Sequence, residues 1–447
     1  MKLPEAFISR TKALLGDEWA DFEQALQEES PVSIRLNPSK IGHSLPCHCG
    51  LGPQSLEKIP WASDAYYLPH RPSFTLDPLF HAGCYYVQEA SSMYLEQIVK
   101  KWISCPSKVL DLCAAPGGKS TQLSSILPKK SLLVSNEIIQ SRVHILSENL
   151  IKWGNPHTIV TNNDPSVFGR INNFFDVILA DVPCSGEGMF RKDPNSIGEW
   201  SPANVRLCAE RQKRILANSW PALKPGGLLI YSTCTYNYEE NEENLEWICR
   251  ELSAEIVEEP RRFLPHKTKG EGFFISGLKK SNNRFPSDNL SPGYFPQKGA
   301  AISKPCKSLL PFSLDKAWEK EEFTFFSENN TLLAIPSIHQ RDYILLKNKL
   351  KIMFAGIALG KSKGKDWIPA HALAMSCRLP SSVFPEWEVD KDTALKYLRK
   401  ETLQNLPADF PHGHILVMYQ KYPLGFIKNT GNRGNNLYPQ EWRIRMK

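Results

Sequence analysis

The sequence has no uninterrupted apolar run of about 18 residues, the length that a membrane-spanning helix requires. Its 11 cysteines are spread thinly over 447 residues and do not form the dense pattern of disulfide-bonded extracellular domains. Charge of one sign is also lacking, since 54 Lys and Arg are set against 47 Asp and Glu. These absences predict no membrane partner and no disulfide framework, and the net charge of +7 favours an anionic partner only slightly.

The first residues do not resemble a secretion signal. Glu5, Arg10 and Lys12 fall where a signal peptide needs an apolar core, so we expect a cytoplasmic protein. A tight Cys47-His48-Cys49 cluster is present, but a zinc site would need a second, matching pair, and none is visible. We therefore expect no metal.

A small-residue turn follows a predicted strand at 108–113. The turn lies before a predicted helix at 119–127, and a strand, a glycine-rich turn and a helix N-terminus together predict a site for a nucleotide-like ligand. Small residues let the backbone approach that ligand closely. The candidate binding residues are Cys113, Ala114, Ala115, Pro116, Gly117, Gly118 and Lys119.

The same turn partly fits another class of site. Gly118-Lys119-Ser120 matches the end of a phosphate-binding P-loop, and the strand ending at Asp181 matches the magnesium-binding strand of an NTPase. In that alignment Cys113 replaces the first glycine and Pro116 lies inside the phosphate cradle. A P-loop NTPase remains an alternative at this point.

Strands and helices alternate from 108 to about 280. The alternation predicts a doubly wound, parallel α/β sheet in the order 3-2-1-4-5. Residues 1–100 form a lead-in, 101–280 the α/β domain, 281–305 a proline-rich polar linker and 306–447 a separate α+β module with many basic residues. The remaining predicted elements are strands 132–136, 158–161, 175–181, 227–232 and 273–278 and helices 139–152, 204–222 and 239–251.

Two carboxylates follow the second and third strands of this domain. Glu137 lies about 20 residues after the glycine turn, where an open α/β sheet places an acid on a ribose hydroxyl pair. Asp164 could reach an adenine edge, or it could form an Asx-turn before Pro165. The spacing does not decide between these alternatives.

Two cysteines follow the fourth and fifth strands. Neighbouring strand ends lie about 5 Å apart, so Cys184 and Cys234 are expected to face one cleft beside Asp181. A single cysteine here is more often a small buried apolar residue, but a pair is hard to explain in that way. Thiolate addition to C6 of a pyrimidine gives C5 the nucleophilic character to attack a methyl group, so the pair predicts covalent chemistry.

The sequences Asp111-Leu-Cys-Ala-Ala-Pro-Gly-Gly-Lys119, Asp181-Val-Pro-Cys-Ser-Gly-Glu-Gly188 and Ser232-Thr-Cys-Thr-Tyr236 resemble the motifs of the Nop/Sun RNA 5-methylcytosine methyltransferases. Within that family the chain is similar to the bacterial small-subunit ribosomal RNA branch. The resemblance implies a class I methyltransferase, Rossmann-like domain, an RNA-contacting lead-in and a C-terminal PUA-like RNA-binding module.

The resemblance also implies a role for each motif residue. Cys113 to Lys119, Glu137, Asp164 and Asp181 would hold S-adenosylmethionine. Cys234 would be the nucleophile that attacks C6, Cys184 would help to release the product, and Asp181 would also contact N3 of the base. Val182 and Ser120 differ from the commonest residues of the motifs, but neither change removes a reacting group.

The expected partner is RNA, in the first place 16S ribosomal RNA or the small subunit, with no obligate protein partner. Alternatives are a transfer RNA cytosine methyltransferase, a non-catalytic ribosome-assembly factor and a DNA cytosine methyltransferase, whose Glu-Asn-Val motif is lacking here. Residues after the fourth-strand motif are candidates for RNA contact or for ordinary packing. They are Phe190, Arg191, Lys192 and Trp200.

Overall fold

The fold is taken from a computed structural model. It describes residues 2–41, 56–282, 322–363, 366–381, 383–404, 406–407, 410–431 and 433–446. The Cys47-His48-Cys49 cluster and nearly all of the predicted linker lie outside the described residues. No helix within the described ranges has both the length and the apolar character needed to cross a membrane.

The N-terminal region is a small antiparallel sheet flanked by short helices. The strand order is β2-β1-β3, and residues 33–35 of β1 pair with 65–67 of β2. Aromatic residues of the first two helices pack against the α/β domain, which fixes the two regions together. The elements are α1 (Glu5–Leu15), α2 (Trp19–Ala25), β1 (Val32–Leu36), α3 (Pro38–Ile41), β2 (Ala65–Leu68), α4 (Pro78–His81) and β3 (Tyr85–Val87).

The central domain is a twisted sheet with helices on both faces. Its five parallel strands have the order β6-β5-β4-β7-β8, which confirms the predicted order 3-2-1-4-5. The elements are α5 (Leu95–Trp102), β4 (Lys108–Asp111), α6 (Gly118–Ile126), β5 (Leu132–Asn136), α7 (Gln140–Trp153), β6 (Thr158–Thr161), β7 (Phe175–Asp181), α8 (Asn195–Glu199), α9 (Pro202–Ser219), β8 (Leu223–Thr233), α10 (Glu242–Glu251), β9 (Ala254–Phe263) and β10 (Phe273–Lys280).

Local signals explain two of the helix ends in this domain. Helix α9 begins two residues earlier than predicted because Ser201 caps it, with its hydroxyl accepting from the Asn204 N–H at 3.1 Å, and Pro202 occupies the first position. Helix α7 ends at Gly154, whose φ of 85° suits glycine. A Cβ at Gly154 would also meet the Met375 carbonyl oxygen at 2.3 Å, so the turn lets the C-terminal region approach.

The C-terminal region contains two four-stranded sheets, β11-β12-β14-β15 and β16-β17-β18-β19. The second sheet shares one hydrophobic core with the N-terminal sheet, in which Ile34 and Leu36 lie with Ile415 and Val417. The elements are β11 (Phe323–Glu328), β12 (Thr331–Pro336), α11 (Gln340–Lys347), β13 (Ile352–Ala355), β14 (Ile357–Lys363), β15 (Asp366–Pro369), α12 (His371–Met375), β16 (Glu386–Glu388), α13 (Lys391–Leu398), β17 (Gly413–Tyr419), β18 (Tyr422–Asn429) and β19 (Gly434–Asn436).

Antiparallel strands extend the central sheet at both edges, which the alternation of elements does not predict. Strands β10 and β9 extend it beyond β8. At the other edge, β13 from the C-terminal region pairs with β6. Strand β13 belongs to the predicted tail module but forms part of the central sheet, so the tail is not fully separate from the α/β domain. It covers a sheet edge that would otherwise expose unpaired backbone groups.

Candidate active site

The glycine turn encloses a cavity of about 170 Å³ at the carboxyl ends of the parallel strands. Gly117 has a φ of 116°, which strongly favours glycine, and a Cβ at Gly118 would stand 3.4 Å from the Tyr86 ring. The backbone of the turn therefore lies directly against the opposite wall. Cys113, Ala114, Ala115, Pro116, Gly118 and Lys119 line the cavity, as do Asp111 and Asp181.

The opposite wall comes from the N-terminal region, and sequence analysis missed it. Tyr86, Gln88, Glu89 and Ser92 line this side of the cavity. The buried Arg35 of β1 lies behind this wall. Its guanidinium donates to the Gln88 side-chain oxygen at 2.9 Å and to the Gly118 carbonyl at 3.3 Å, so β1 is tied directly to the glycine turn.

Asp111 at the end of β4 is fully buried at the floor of the cavity. Its Oδ2 accepts from the Ser120 hydroxyl at 2.6 Å, whereas its Oδ1 has no hydrogen-bond partner. Burial raises the pKa of Asp111 to about 7, although the Ser120 hydrogen bond opposes the shift. A buried carboxyl oxygen without a partner is suited to a hydrogen-bond donor of a ligand, and a cationic donor would favour the ionised form of Asp111.

The raised pKa of Asp111 predicts a pH-dependent stability. A carboxyl whose pKa rises from 3.8 to about 7 on folding stabilises the fold below pH 4, and this contribution is lost as the pH rises towards 7. Relative to Asp111→Asn, the wild type should lose on the order of 3 kcal/mol between pH 4 and 8. Urea unfolding of both proteins across this range measures the difference, and parallel curves would contradict the assignment.

Glu137 and Asp164 lie at strand ends but do not line the cavity. Glu137 is buried; it accepts from the Ile139 N–H at 2.8 Å and lies 3.5 Å from the Arg142 guanidinium. Asp164 is exposed and caps the short helix after β6 by accepting from the Ser166 N–H at 2.9 Å. The Asx-turn alternative therefore describes the geometry of Asp164, and its contact with a cofactor stays a prediction.

The two predicted cysteines face each other in the loops after β7 and β8. The Sγ atoms of Cys184 and Cys234 are 3.1 Å apart, and both cysteines are free thiols. The hydrogen bond to Cys234, together with burial, raises the pKa of the Cys184 thiol well above its ordinary value. Cys184 therefore carries a proton at neutral pH, and once deprotonated it is a strong base.

Asp181 connects the end of β8, two residues before Cys234, to the glycine turn. Its carboxylate accepts from the Lys119 ammonium at 2.8 Å and from the Ser232 hydroxyl at 2.7 Å. Burial lowers the pKa of Lys119, but the charge and hydrogen bond of Asp181 outweigh burial, and the pKa is raised overall with a contribution from Cys234. Lys119 is therefore a firmly charged ammonium group at the centre of the site.

The residues after the fourth-strand motif mostly serve packing. Phe190 is fully buried against Phe7, and the buried Trp200 donates its indole N–H to Glu187 at 3.0 Å. Arg191 forms a buried ion pair with Glu271 at 2.9 Å. The RNA-contact alternative is thus wrong for these three residues, because Phe190 is fully buried and the polar groups of Trp200 and Arg191 already have protein partners.

Replacement of Arg191 should therefore affect folding first. Arg191 also donates to the carbonyls of Ala25 and Gly270, so Arg191→Met leaves the buried Glu271 carboxylate without its countercharge. We expect a loss of about 3–5 kcal/mol in the free energy of unfolding. The adjacent exposed Lys192 provides the control, since Lys192→Met should change stability by less than about 0.5 kcal/mol. Equal effects in urea unfolding would contradict the structural role.

The described residues contain no cluster of three or more His, Cys, Asp or Glu side chains suited to a metal ion. Sequence analysis missed two further buried carboxylates beside the thiols, Glu187 and Glu240. Glu187 follows Cys184 by three residues and Glu240 follows Cys234 by six, and this position after a predicted catalytic cysteine is the signal that could have indicated them.

Three family models match the chain. They describe the 16S rRNA methyltransferase RsmB/F at residues 105–279, the N-terminal domain of 16S rRNA methyltransferase RsmF at 3–90 and the methyltransferase RsmF PUA domain at 384–444. A methyltransferase homolog protein from Pyrococcus horikoshii is 28% identical, with a TM-score of 0.54 over 62% of this chain and 95% of its own. NSun6 from the same organism, at 21% identity and a TM-score of 0.53, covers 63% of this chain and 99% of its own and has the same fold.

The similarity to curated proteins extends over nearly the whole chain. Ribosomal RNA small subunit methyltransferase F from Salmonella agona is 31% identical over 475 aligned residues, which cover 98% of this chain and 96% of that protein. The same name belongs to a Salmonella paratyphi B protein that is 31% identical over 477 aligned residues and covers the same shares. Together with the thiol pair and the glycine turn, these matches show that the chain belongs to the RsmF family of S-adenosylmethionine-dependent ribosomal RNA methyltransferases.

Proposed function

We propose that the protein transfers a methyl group from S-adenosylmethionine to C5 of a cytosine in 16S ribosomal RNA, through a covalent bond between Cys234 and C6. The observation that carries the proposal is the 3.1 Å separation of the Cys184 and Cys234 sulfurs, in the loops that follow β7 and β8 at the carboxyl edge of the sheet. The names of the relatives and of the matching PUA model support ribosomal RNA as the substrate.

The residues around the cavity fit S-adenosylmethionine. Its sulfonium and ammonium groups are cations, and Asp111 offers a buried carboxyl oxygen without a partner. The small residues of the turn leave room for the backbone to contact a ligand, and the first turn of α6 can receive the carboxylate of its methionine end. Asp111, the turn from Cys113 to Lys119 and Glu137 are proposed to hold this cofactor, which supplies an electrophilic methyl group.

The first step is the addition of Cys234 to the pyrimidine. Cys234 reacts as its thiolate, after its proton has passed to water. Its sulfur forms a bond to C6, and the electron pair of the C5–C6 double bond is released into the ring towards N3, where the Lys119 ammonium, held in place by Asp181, would offset the developing negative charge. C5 then has enamine character and would bond to the methyl carbon as the bond from that carbon to the donor's sulfonium sulfur breaks, with the electron pair remaining on the sulfur as a thioether.

The second step restores the aromatic ring. The C5 proton leaves, its electron pair re-forms the C5–C6 double bond, and the C6–sulfur bond breaks with its electrons returning to Cys234. We assign the proton to Cys184 acting as a thiolate, after its own proton has passed to water, because the raised pKa of this thiol makes its thiolate a strong base. The separate roles of Cys234 as nucleophile and Cys184 as proton acceptor also explain why two cysteines lie close together.

The purified protein with 16S ribosomal RNA and S-adenosylmethionine tests the proposal. Bisulfite sequencing after the reaction should reveal one or more newly protected cytosines, and transfer RNA treated in parallel serves as the competing substrate. The 16S ribosomal RNA is supplied both as free RNA and within the assembled small subunit, whereas the transfer RNA is supplied as free RNA. Methyl transfer to a base other than cytosine, or to transfer RNA alone, would contradict the proposal.

A further inference from the structure

Two buried carboxylates connect the loops that carry the thiols, and each belongs to the loop opposite the groups it binds. Glu187 follows Cys184, yet its Oε2 accepts from the N–H groups of Tyr236 at 2.7 Å and Asn237 at 3.0 Å, in the Cys234 loop. Glu240 follows Cys234, yet it accepts from the Ser185 N–H at 3.0 Å, directly after Cys184.

Further side chains complete both sets of contacts. The Thr235 hydroxyl donates to Glu187 Oε2 at 2.6 Å, and the Trp200 indole donates to Oε1 at 3.0 Å. Glu240 accepts from the Gln212 amide at 2.7 Å and from the Asn237 amide at 2.8 Å. The carboxylates are 2% and 0% exposed, so neither can exchange these donors freely for water.

The chemistry of the contacts explains why both positions are acidic. An ionised carboxylate only accepts, so it can gather several N–H and O–H donors without bringing a competing donor of its own. Burial raises the pKa of Glu240, and the hydrogen bonds from Ser185 and Asn237 oppose that shift. Burying two carboxylates near each other costs folding free energy, and their hydrogen bonds to the two loops offset part of this cost.

We propose that Glu187 and Glu240 are positioning residues that brace the two catalytic loops against each other and thereby hold the sulfurs of Cys184 and Cys234 in reacting distance. Neither carboxylate contacts the base or the methyl donor; both act through the loop backbone. The contribution of Glu187 and Glu240 to methyl transfer rests on the proposed covalent function. Their effect on the distance between the two sulfurs does not depend on that function.

The spacing can be measured without RNA or cofactor. Diamide accepts the two thiol hydrogens as the sulfurs join, and mass spectrometry of an unreduced digest gives the rate at which the Cys184–Cys234 disulfide forms. Glu187→Gln and Glu240→Gln should each slow this rate by about tenfold or more, because the sulfurs then meet less often. Glu96→Gln replaces an equally buried carboxylate outside these loops and should leave the rate within about twofold.

A rescue variant separates positioning from a general loss of structure. In Glu187→Gln the amide nitrogen must face hydrogen-bond donors, and it meets the fewest, the Trp200 indole alone, when the amide oxygen faces the three donors of the Cys234 loop. Trp200→Phe removes that remaining donor, so the double variant Glu187→Gln with Trp200→Phe should recover part of the rate of disulfide formation. If the Gln variants do not fold, Thr235→Val removes one loop-spanning hydrogen bond and should slow the disulfide in the same direction. Wild-type disulfide rates in the folded variants would overturn the proposal.

Methyl transfer is the second readout, and its result is interpreted separately. The Gln variants should lower kcat while the KM values for RNA and cofactor stay the same, since no binding group is changed. Slower disulfide formation with unchanged methyl transfer would support the bracing role and contradict the proposed use of the thiol pair. A change in KM alone would overturn the positioning role, because it would indicate a binding contact instead.

Discussion

Cys234→Ala should abolish methyl transfer. Without a sulfur to add at C6, the aromatic C5 has no route to enough nucleophilic character, and we expect kcat to fall by at least about 10⁴-fold. Transfer of radiolabelled methyl groups to 16S ribosomal RNA, followed over hours, measures the loss. The residual rate reports what binding and orientation achieve without covalent chemistry.

The loss in Cys234→Ala should not come from unfolding or from weaker cofactor binding. The side chain is only half-buried, and the substitution removes a single sulfur atom, so the free energy of unfolding should change by about 1 kcal/mol or less. S-adenosylmethionine affinity, measured by calorimetry, should stay within about twofold of the wild type. Cys105→Ala, at an exposed cysteine outside the site, should retain full activity. Substantial methylation by Cys234→Ala would contradict the nucleophile assignment.

Cys184→Ala should instead trap the protein on its RNA. In this variant Cys234 can still add to C6 and C5 can still be methylated, but the group proposed to accept the C5 proton is missing. We expect a covalent protein–RNA adduct to accumulate, with turnover lowered by about 10²–10⁴-fold, the range typical of a lost proton-transfer group. A species that survives denaturing gel electrophoresis and disappears after ribonuclease treatment identifies the adduct.

The double variant is the control for this experiment. Cys184→Ala combined with Cys234→Ala lacks the attacking sulfur, so it should form no adduct. An adduct that persists in the double variant would show that another residue is attached to the RNA. An active Cys184→Ala enzyme without any adduct would contradict the release role and leave Cys234 as the single required thiol.

The central sheet and its site could largely be predicted from the sequence, because the relevant signals are local. Small residues at 113–118 indicate a backbone that must approach a ligand, and parallel strands deliver their carboxyl ends to one edge, so Cys184 and Cys234 were expected to meet there. The predicted strand order is confirmed, and the sulfurs of the two cysteines lie 3.1 Å apart. Neither inference needs knowledge of distant parts of the chain.

The remaining features depend on contacts between distant segments. Tyr86 and Gln88 line the cavity only because β3 is brought beside α6 by tertiary packing, and nothing in their local sequence indicates a ligand. Strand β13 contributes four residues to a sheet whose other members lie far away in sequence, so periodicity cannot assign it. The basic and aromatic character of Arg191 and Trp200 suggested RNA, but burial by neighbouring elements decides the role of such residues.

The hydrophobic core shared by the first and the last sheets has a consequence for biosynthesis. Ile34 leaves the ribosome early, but its core partner Ile415 is added about 380 residues later. At ordinary elongation rates this delay is roughly 20–80 s, during which the apolar face of the nascent N-terminal segment has no native cover. Growing chains of this protein should therefore engage a chaperone on the ribosome, and the fraction of chains bound to it should fall steeply once residues 413–429 have emerged.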